Sequence, residues 1–334
     1  MPNKEDRPAP AAVREDSLSA LPAVLLDTLL CDHTTGRNIF WATHDYEALG
    51  SDYAYHSPIM PHLVTGNRGM VVRPRVQKNR ELQTDRAKDM AEVFTPSWVC
   101  NKQNNLIDSA WFGRDNVFNT ETDRPDGTHS WTATEGSIAF PEGRTWRSYV
   151  SEKRLEITCG EAPYLVSRYD TVTGEPIPVE RRIGLLDRKL RIVGENTSAS
   201  ADWLKAAQTA FMSTYGYEWQ GDSLVLARAN LLYTFVDYYT AKFGKSPQLK
   251  SLQYIAYIIS WNIWQMDGLK GVVPDTCGER RKVEHTLFGD EERITVCQGC
   301  KNDDLRTHNG IYALVKNWGA TKDHQKIRFI DLIK

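Results

Sequence analysis

The chain has 334 residues, 25% of them charged and 10% aromatic, with a formal net charge of -2. That length supports a large core and two domains, while the near-neutral balance excludes nucleic-acid binding driven by global charge and leaves that role to local patches. No apolar run reaches the roughly 18 residues a membrane helix needs, so no membrane partner is expected.

Residues 1–16 are rich in Pro, Ala and charge and lack an apolar signal core, which predicts a disordered arm. Residues 17–90 read as an N-terminal accessory region. Ser17 to Leu30 suggests a short helix begun through Pro22, and Asn38 to Tyr55 is irregular or short-stranded. Asn67 to Met90 then carries Arg68, Arg73, Arg75, Lys78, Arg80, Arg86 and Lys88 against Glu81, Asp85 and Asp89. Its Gly, Asn and Pro punctuation implies loops, so these cations should be exposed. They form either a solvated face or a strip contacting the phosphates of double-stranded DNA, with Arg68, Arg73, Arg75 and Lys78 as the candidate contacts.

Residues 91–272 alternate between strand and helix signals. Thr95-Pro96 predicts a helix start with Thr95 as N-cap and Pro96 in the first turn, and Asn119 to Thr145 predicts a long loop or hairpin. Leu155-Glu-Ile-Thr-Cys-Gly160 reads as a strand ending in a small-residue turn, followed by a helix start over Ala162, Leu165, Val166 and Tyr169. Arg182 to Val193 and Asp202 to Thr214 read as helices, the first with its Arg and Lys residues on the face away from the core. Tyr215 to Asp222 reads as a strand. The broad apolar stripe Leu224, Leu226, Ala227, Leu231, Leu232, Phe235 and Tyr239 predicts a long buried helix. Leu252 to Ile259 continues helically, and Ser260 to Leu269 reads as a third strand. The alternation predicts an α/β fold with a mostly parallel sheet. Glu156, Glu218 and Asp267 fall at or near strand ends, where ligands of open α/β sheets bind.

The order Phe94-Thr95-Pro96, Leu155-Glu-Ile-Thr-Cys-Gly160, Tyr217-Glu218 and Asn262-Ile-Trp-Gln-Met-Asp-Gly-Leu269 resembles the N6-adenine DNA methyltransferases, or modification subunits, of restriction-modification systems. The resemblance spans about residues 90–270 and implies a Rossmann-like, S-adenosylmethionine-binding domain. It assigns Phe94, Thr95 and Pro96 to closing over the methionine part of the cofactor, and Glu156, Cys159 and Gly160 to the turn that wraps it. Glu218 would bind the ribose, and Asp267 would approach the adenine amine. The family's Asn/Asp-Pro-Pro-aromatic catalytic motif does not occur in this sequence; Glu161-Ala-Pro-Tyr164 imitates it only faintly. Methylation would therefore need a second polypeptide that supplies the motif, or the protein would be a non-catalytic scaffold that binds DNA or a partner.

Six cysteines stand at 31, 100, 159, 277, 297 and 300. Their uneven spacing argues for a reducing, cytoplasmic compartment rather than a disulfide framework. Cys277, the knuckle pair Cys297 and Cys300, and His308 have the composition of a structural zinc site, with His285 as the alternative fourth ligand. Residues 273–334 accordingly read as a zinc ribbon. Without any cofactor, the chain would be a zinc-stabilised nucleic-acid adaptor.

Overall fold

The computed structural model describes residues 18–69, 71–78, 95–286, 289–321 and 325–333. The arm, Phe94 and the side chains of Arg75 and His285 lie outside the described residues.

Helix α1 (Ala23–Leu30) follows Pro22 and runs into a small antiparallel ribbon of β1 (Cys31–Asp32) and β2 (Arg37–Asn38). Helix α2 (Ser97–Phe112) precedes the hairpin β3 (Asn119–Asp123) and β4 (His129–Ala133), as the turn-rich composition predicted. After the short helix α3 (Trp146–Ser151) comes β5 (Arg154–Glu156). Helices α4 (Leu185–Asn196) and α5 (Ser200–Met212) connect β5 to β6 (Thr214–Glu218). Helices α6 (Gly221–Phe243) and α7 (Leu249–Asn262) connect β6 to β7 (Ile263–Gln265). The hairpin β8 (Arg280–Thr286) and β9 (Gly289–Thr295), helix α8 (Gln298–Asn302) and the pair β10 (Leu314–Lys316) and β11 (Lys326–Arg328) complete the chain.

The organising sheet is three-stranded and parallel, in the order β5-β6-β7. The α/β class holds, but the parallel pairing is confined to this sheet among the described residues, and the remaining sheets are antiparallel pairs. Side chains alternate across it. Ile263 joins the large core built on the helices, which also includes Leu25, Leu29 and Trp41 from the N-terminal region. Tyr217, Trp264 and Met266 point to the other face, where Ala313 and Val315 cover them.

Three sequence expectations change. First, Ser260, Trp261 and Asn262 are the last turn of α7, not the start of a strand. The helix persists there because Arg228 takes the Ser260 carbonyl and the Asn262 amide donates to the carbonyls of Phe211 and Thr214. Second, residues 161–169 form turns rather than a helix, because their N–H groups go to carboxylates, as described below. Third, Arg188 and Lys189 do not face solvent; each is only 1% exposed. Arg188 bonds Asp108, Asn101 and Asn105. Lys189 donates to the carbonyl of Glu152 and to Ser213.

Arg228 has a comparable role. Fully buried on α6, it donates to the carbonyls of Leu29, Cys31, Ser260 and Ile263 and so ties α1, α7 and β7 to one point. Among the described residues, no helix is long and apolar enough to cross a membrane.

Arg228→Met would preserve much of the side-chain volume while orphaning those carbonyls, each worth about 1–3 kcal/mol when left unsatisfied in the interior. Urea unfolding should show a loss of at least about 3 kcal/mol. A change under about 0.5 kcal/mol, the range of an inert surface position, would contradict the role.

Candidate functional site

The carboxyl edge of the parallel sheet gathers most of the predicted cofactor residues. Directly after β5 the backbone enters the left-handed region at Thr158 (φ 45°), Gly160 (φ 52°) and Ala162 (φ 64°). For Thr158 and Ala162 this costs on the order of 1 kcal/mol each, a strain that concentrates at ligand sites. A side chain at Gly160 would meet nothing within 4 Å, so the turn presents open backbone.

Buried carboxylates hold the turn. Glu218, at the end of β6, accepts the Gly160 N–H at 2.8 Å and the N–H groups of Trp219 and Gln220 at 2.8 and 3.2 Å. Glu156, at the end of β5, accepts the N–H groups of Tyr164 and Leu165 at 3.3 and 3.2 Å. Desolvation by burial pushes both carboxyls up, against the pull of these N–H donors. Cys159 is buried and its thiol is raised by the same desolvation. The donors that a following helix would have offered to a ligand are thus taken by the protein's own carboxylates. A buried carboxylate without donors is far costlier than an interrupted helix.

Thr95 and Pro96 arrive at this turn from far away in sequence. The Tyr164 hydroxyl bonds the Thr95 side chain, and the Thr95 carbonyl accepts from Thr171 at 3.0 Å. Thr95 is not the N-cap of α2; Pro96 holds that position, and Asp170 accepts the Ser97 N–H at 3.0 Å in place of a capping side chain. Asp267 lies two residues beyond β7. Its carboxylate accepts the N–H groups of Leu269 and Lys270 and pairs with the Lys270 ammonium at 3.4 Å. Gln265, which carried no sequence signal, fastens the N-terminal region to this edge by exchanging hydrogen bonds with both backbone groups of Phe40.

The second site is a Cys3His cluster that could hold a metal such as zinc. The ligand atoms of Cys277, Cys297, Cys300 and His308 lie within 4.8 Å of one another. The Cys277 sulfur is 3.2 Å from that of Cys297, 3.4 Å from that of Cys300 and 3.2 Å from His308 Nδ1. A tetrahedral zinc with bonds of about 2.0–2.3 Å requires edges of about 3.5–3.8 Å, so the donor set matches in type and nearly in size. His308 is the fourth member of the cluster, while the side chain of His285, the alternative ligand, lies outside the described residues.

Sequence reading missed the supports of this cluster. A Cβ on Gly299 would come within 2.6 Å of the His308 backbone and ring nitrogens. Asn309 donates its N–H to the Cys297 sulfur, and its side chain braces both backbone groups of Gly278. Burial pushes the Cys297 thiol up, but N–H donors from Cys300 and Asn309 override it and bring it down to about 5.

The basic strip divides. Arg68 is exposed and packs over the Tyr53 ring, and Arg73 is half-buried. Lys78 is only 8% exposed and pairs with the buried Asp222 at 3.1 Å, so it is not available to phosphate. Asp222 is what withdraws it: a carboxylate inside a helix core must recruit a cation. Asp222 also accepts from the Tyr46 hydroxyl.

No family model, curated protein or solved structure matches the chain.

Metal analysis of the purified protein should return one zinc per chain, and Cys300→Ser should release it. Zinc loss should expose the Trp264 face of the sheet to solvent, read as a red shift in tryptophan emission. Metal-free protein with freely titratable thiols and unchanged emission would refute both. A separate comparison tests the basic strip. Lys78→Gln should destabilise the fold by about 3–5 kcal/mol by removing the buried cation that pairs with Asp222. Arg68→Gln with Arg73→Gln should leave stability unchanged and flatten the salt dependence of DNA binding by up to about two counterions. An unchanged salt slope would assign those two arginines to a merely solvated face.

Proposed function

We propose that the chain is an S-adenosylmethionine-binding protein of the DNA adenine-methyltransferase type, serving a restriction-modification or phage-defence system. The observation that carries this reading is the strained turn Thr158–Ala162 at the carboxyl edge of a parallel sheet. Glu218 accepts the Gly160 N–H of this turn, and Glu156 and Thr95 bond Tyr164 just after it. Open α/β sheets bind nucleotide-like ligands at this edge, against backbone that can come close.

The residues fit the cofactor in kind. Gly160 offers backbone with free space beside it. Glu218 would take the ribose hydroxyls, Asp267 the adenine amine, and Thr95 and Pro96 the methionine end. The bound cofactor would supply an electrophilic methyl group. Target recognition on double-stranded DNA would fall to Arg68 and its neighbours. A second polypeptide would supply the missing Asn/Asp-Pro-Pro-aromatic motif, which needs an amide or carboxylate and a stacking ring on the flipped base. The sheet would be of the Rossmann-like methyltransferase type, and the Cys3His cluster would be a structural zinc site.

One observation favours a second reading, in which the fold is a non-catalytic scaffold. Glu218 already accepts three backbone N–H groups, so the edge is satisfied without a ligand.

Calorimetry separates the two readings. The chain should bind S-adenosylmethionine, and Glu218→Ala should weaken binding by about ten- to a hundredfold, the worth of charge-assisted hydrogen bonds. The isolated chain should not methylate duplex DNA until a partner is added. Absence of cofactor binding would leave the scaffold, and robust methylation by the chain alone would remove the need for a partner.

A further inference from the structure

The parallel sheet has two edges, and the fold treats them differently. Beyond β7 the chain closes its own edge: Arg228 takes the Ile263 carbonyl, the Gln265 side chain holds Phe40, and Asp267 bridges Val272. β5, at the other edge, pairs with β6 alone among the described residues.

In a parallel ladder every second residue bonds the neighbour on one side, and the residues between turn their N–H and C=O groups the other way. The Arg154 N–H goes to the Ser213 carbonyl, and the register runs from Arg154 opposite Thr214 to Glu156 opposite Gly216. Arg154 and Glu156 therefore serve β6, and the main chain of Leu155 faces outward. No hydrogen bond among the described residues reaches the main chain of Lys153, Leu155 or Ile157.

The side chains along this edge are open too. Leu155 is 44% exposed and Ile157 63%, on either side of the buried Glu156. Lys153 is exposed and has no ion pair among the described residues. A row of unpaired main-chain groups flanked by exposed apolar residues is what an added strand completes.

A second copy of this chain fits the edge poorly. Antiparallel self-pairing about Leu155 would set Lys153 against Ile157 of the other copy. Pairing about Arg154 or Glu156 would face like charges across the ladder.

We infer that β5 takes an extended segment of a second, different polypeptide as a fourth strand of the sheet. The segment's residues beside Leu155 and Ile157 are apolar, and an acidic residue lies beside Lys153. In either direction, one end of the added strand comes level with the Thr158–Ala162 turn, where the reading above needs a second polypeptide. That this partner carries the missing motif rests on that reading; the open edge does not.

The test uses the full-length chain and a fluorescein-labelled peptide of alternating valine and threonine with a glutamate at each end, followed by anisotropy. Saturable binding is expected, and it should protect the Leu155 and Ile157 amides from hydrogen exchange. N-methylating the peptide backbone keeps its side chains, removes its donors and should abolish binding. Ile157→Pro removes an N–H that β6 does not use and should weaken binding by about tenfold or more. Leu155→Lys with Ile157→Lys, at two exposed positions, should abolish binding with the fold intact, which keeps the test decisive if Ile157→Pro does not fold. Lys153→Glu should shift the preference to a lysine-ended peptide. The titration contains no S-adenosylmethionine, so failure of the cofactor reading and failure of this one remain distinguishable. No saturable binding, binding indifferent to N-methylation or to the double lysine variant, or a dimer of the chain that the double lysine variant dissociates would each overturn the inference.

Discussion

Two desolvated cations set the amino edge of the sheet. Arg228 and Lys189 are buried and are held by carbonyl and hydroxyl oxygens rather than by carboxylates in direct contact. Desolvation lowers both, Arg228 to about 10. Many of the oxygens they collect sit at helix C-termini: Leu29 on α1, Ser260 on α7 and Ser213 after α5. Those carbonyls have no partner within their own helix, and the helix dipole places negative potential on them. One side chain therefore satisfies several orphan acceptors while fixing where β6 and β7 begin. The carboxyl edge uses the opposite sign, with Glu156, Glu218 and Asp267 collecting backbone N–H groups. The sheet is short, and this division of charge compensates for the ladder bonds it lacks.

A three-stranded sheet has two faces to bury, and the chain covers the second face late. Between β7 and β10 it leaves the sheet through the β8–β9 hairpin and must return in register. Val272 bridges to both Asp267 and Tyr312, and the Ala313 N–H bonds the Gly271 carbonyl. The Cys277–His308 cluster closes the excursion just outside these contacts. Closing a loop of this length costs entropy that a metal can offset by binding only the folded arrangement. The cluster thereby acts on the hydrophobic cover of Trp264 and Tyr217, not merely on its own loop.

Much of this was legible in the residues. The apolar stripe of α6 follows from periodicity, the hairpin within 119–145 from turn-rich composition, and the parallel pairing of the strands at 155, 217 and 264 from the alternation of strand and helix signals. The Cys3His cluster follows from spacing and ligand type. What failed was charge. Lys78, Arg188 and Lys189 look like solvent-facing residues, and each is buried because a distant segment supplies its partner. Asp222 lies 144 positions from Lys78, and no local pattern records such a pairing. The helix expected after Gly160 failed because carboxylates claim N–H groups there, Glu156 from eight and nine residues upstream and Glu218 from 58 residues downstream.

Buried charge thus distinguishes scaffold from candidate site in this molecule. Arg228 and Lys189 meet enough oxygens from the fold to be complete, and a completed group has nothing left for a ligand. The turn at 158–162 stores backbone strain beside carboxylates that accept donors from the protein itself, and any ligand there must compete with those donors. Arg154 lies beside Lys189 at the same amino edge, with one buried nitrogen unbonded and Glu152 3.8 Å away on the helix side of the sheet. Each buried ion therefore has to be assessed by what completes it. At the carboxyl edge a ligand has to displace hydrogen bonds that the protein already makes.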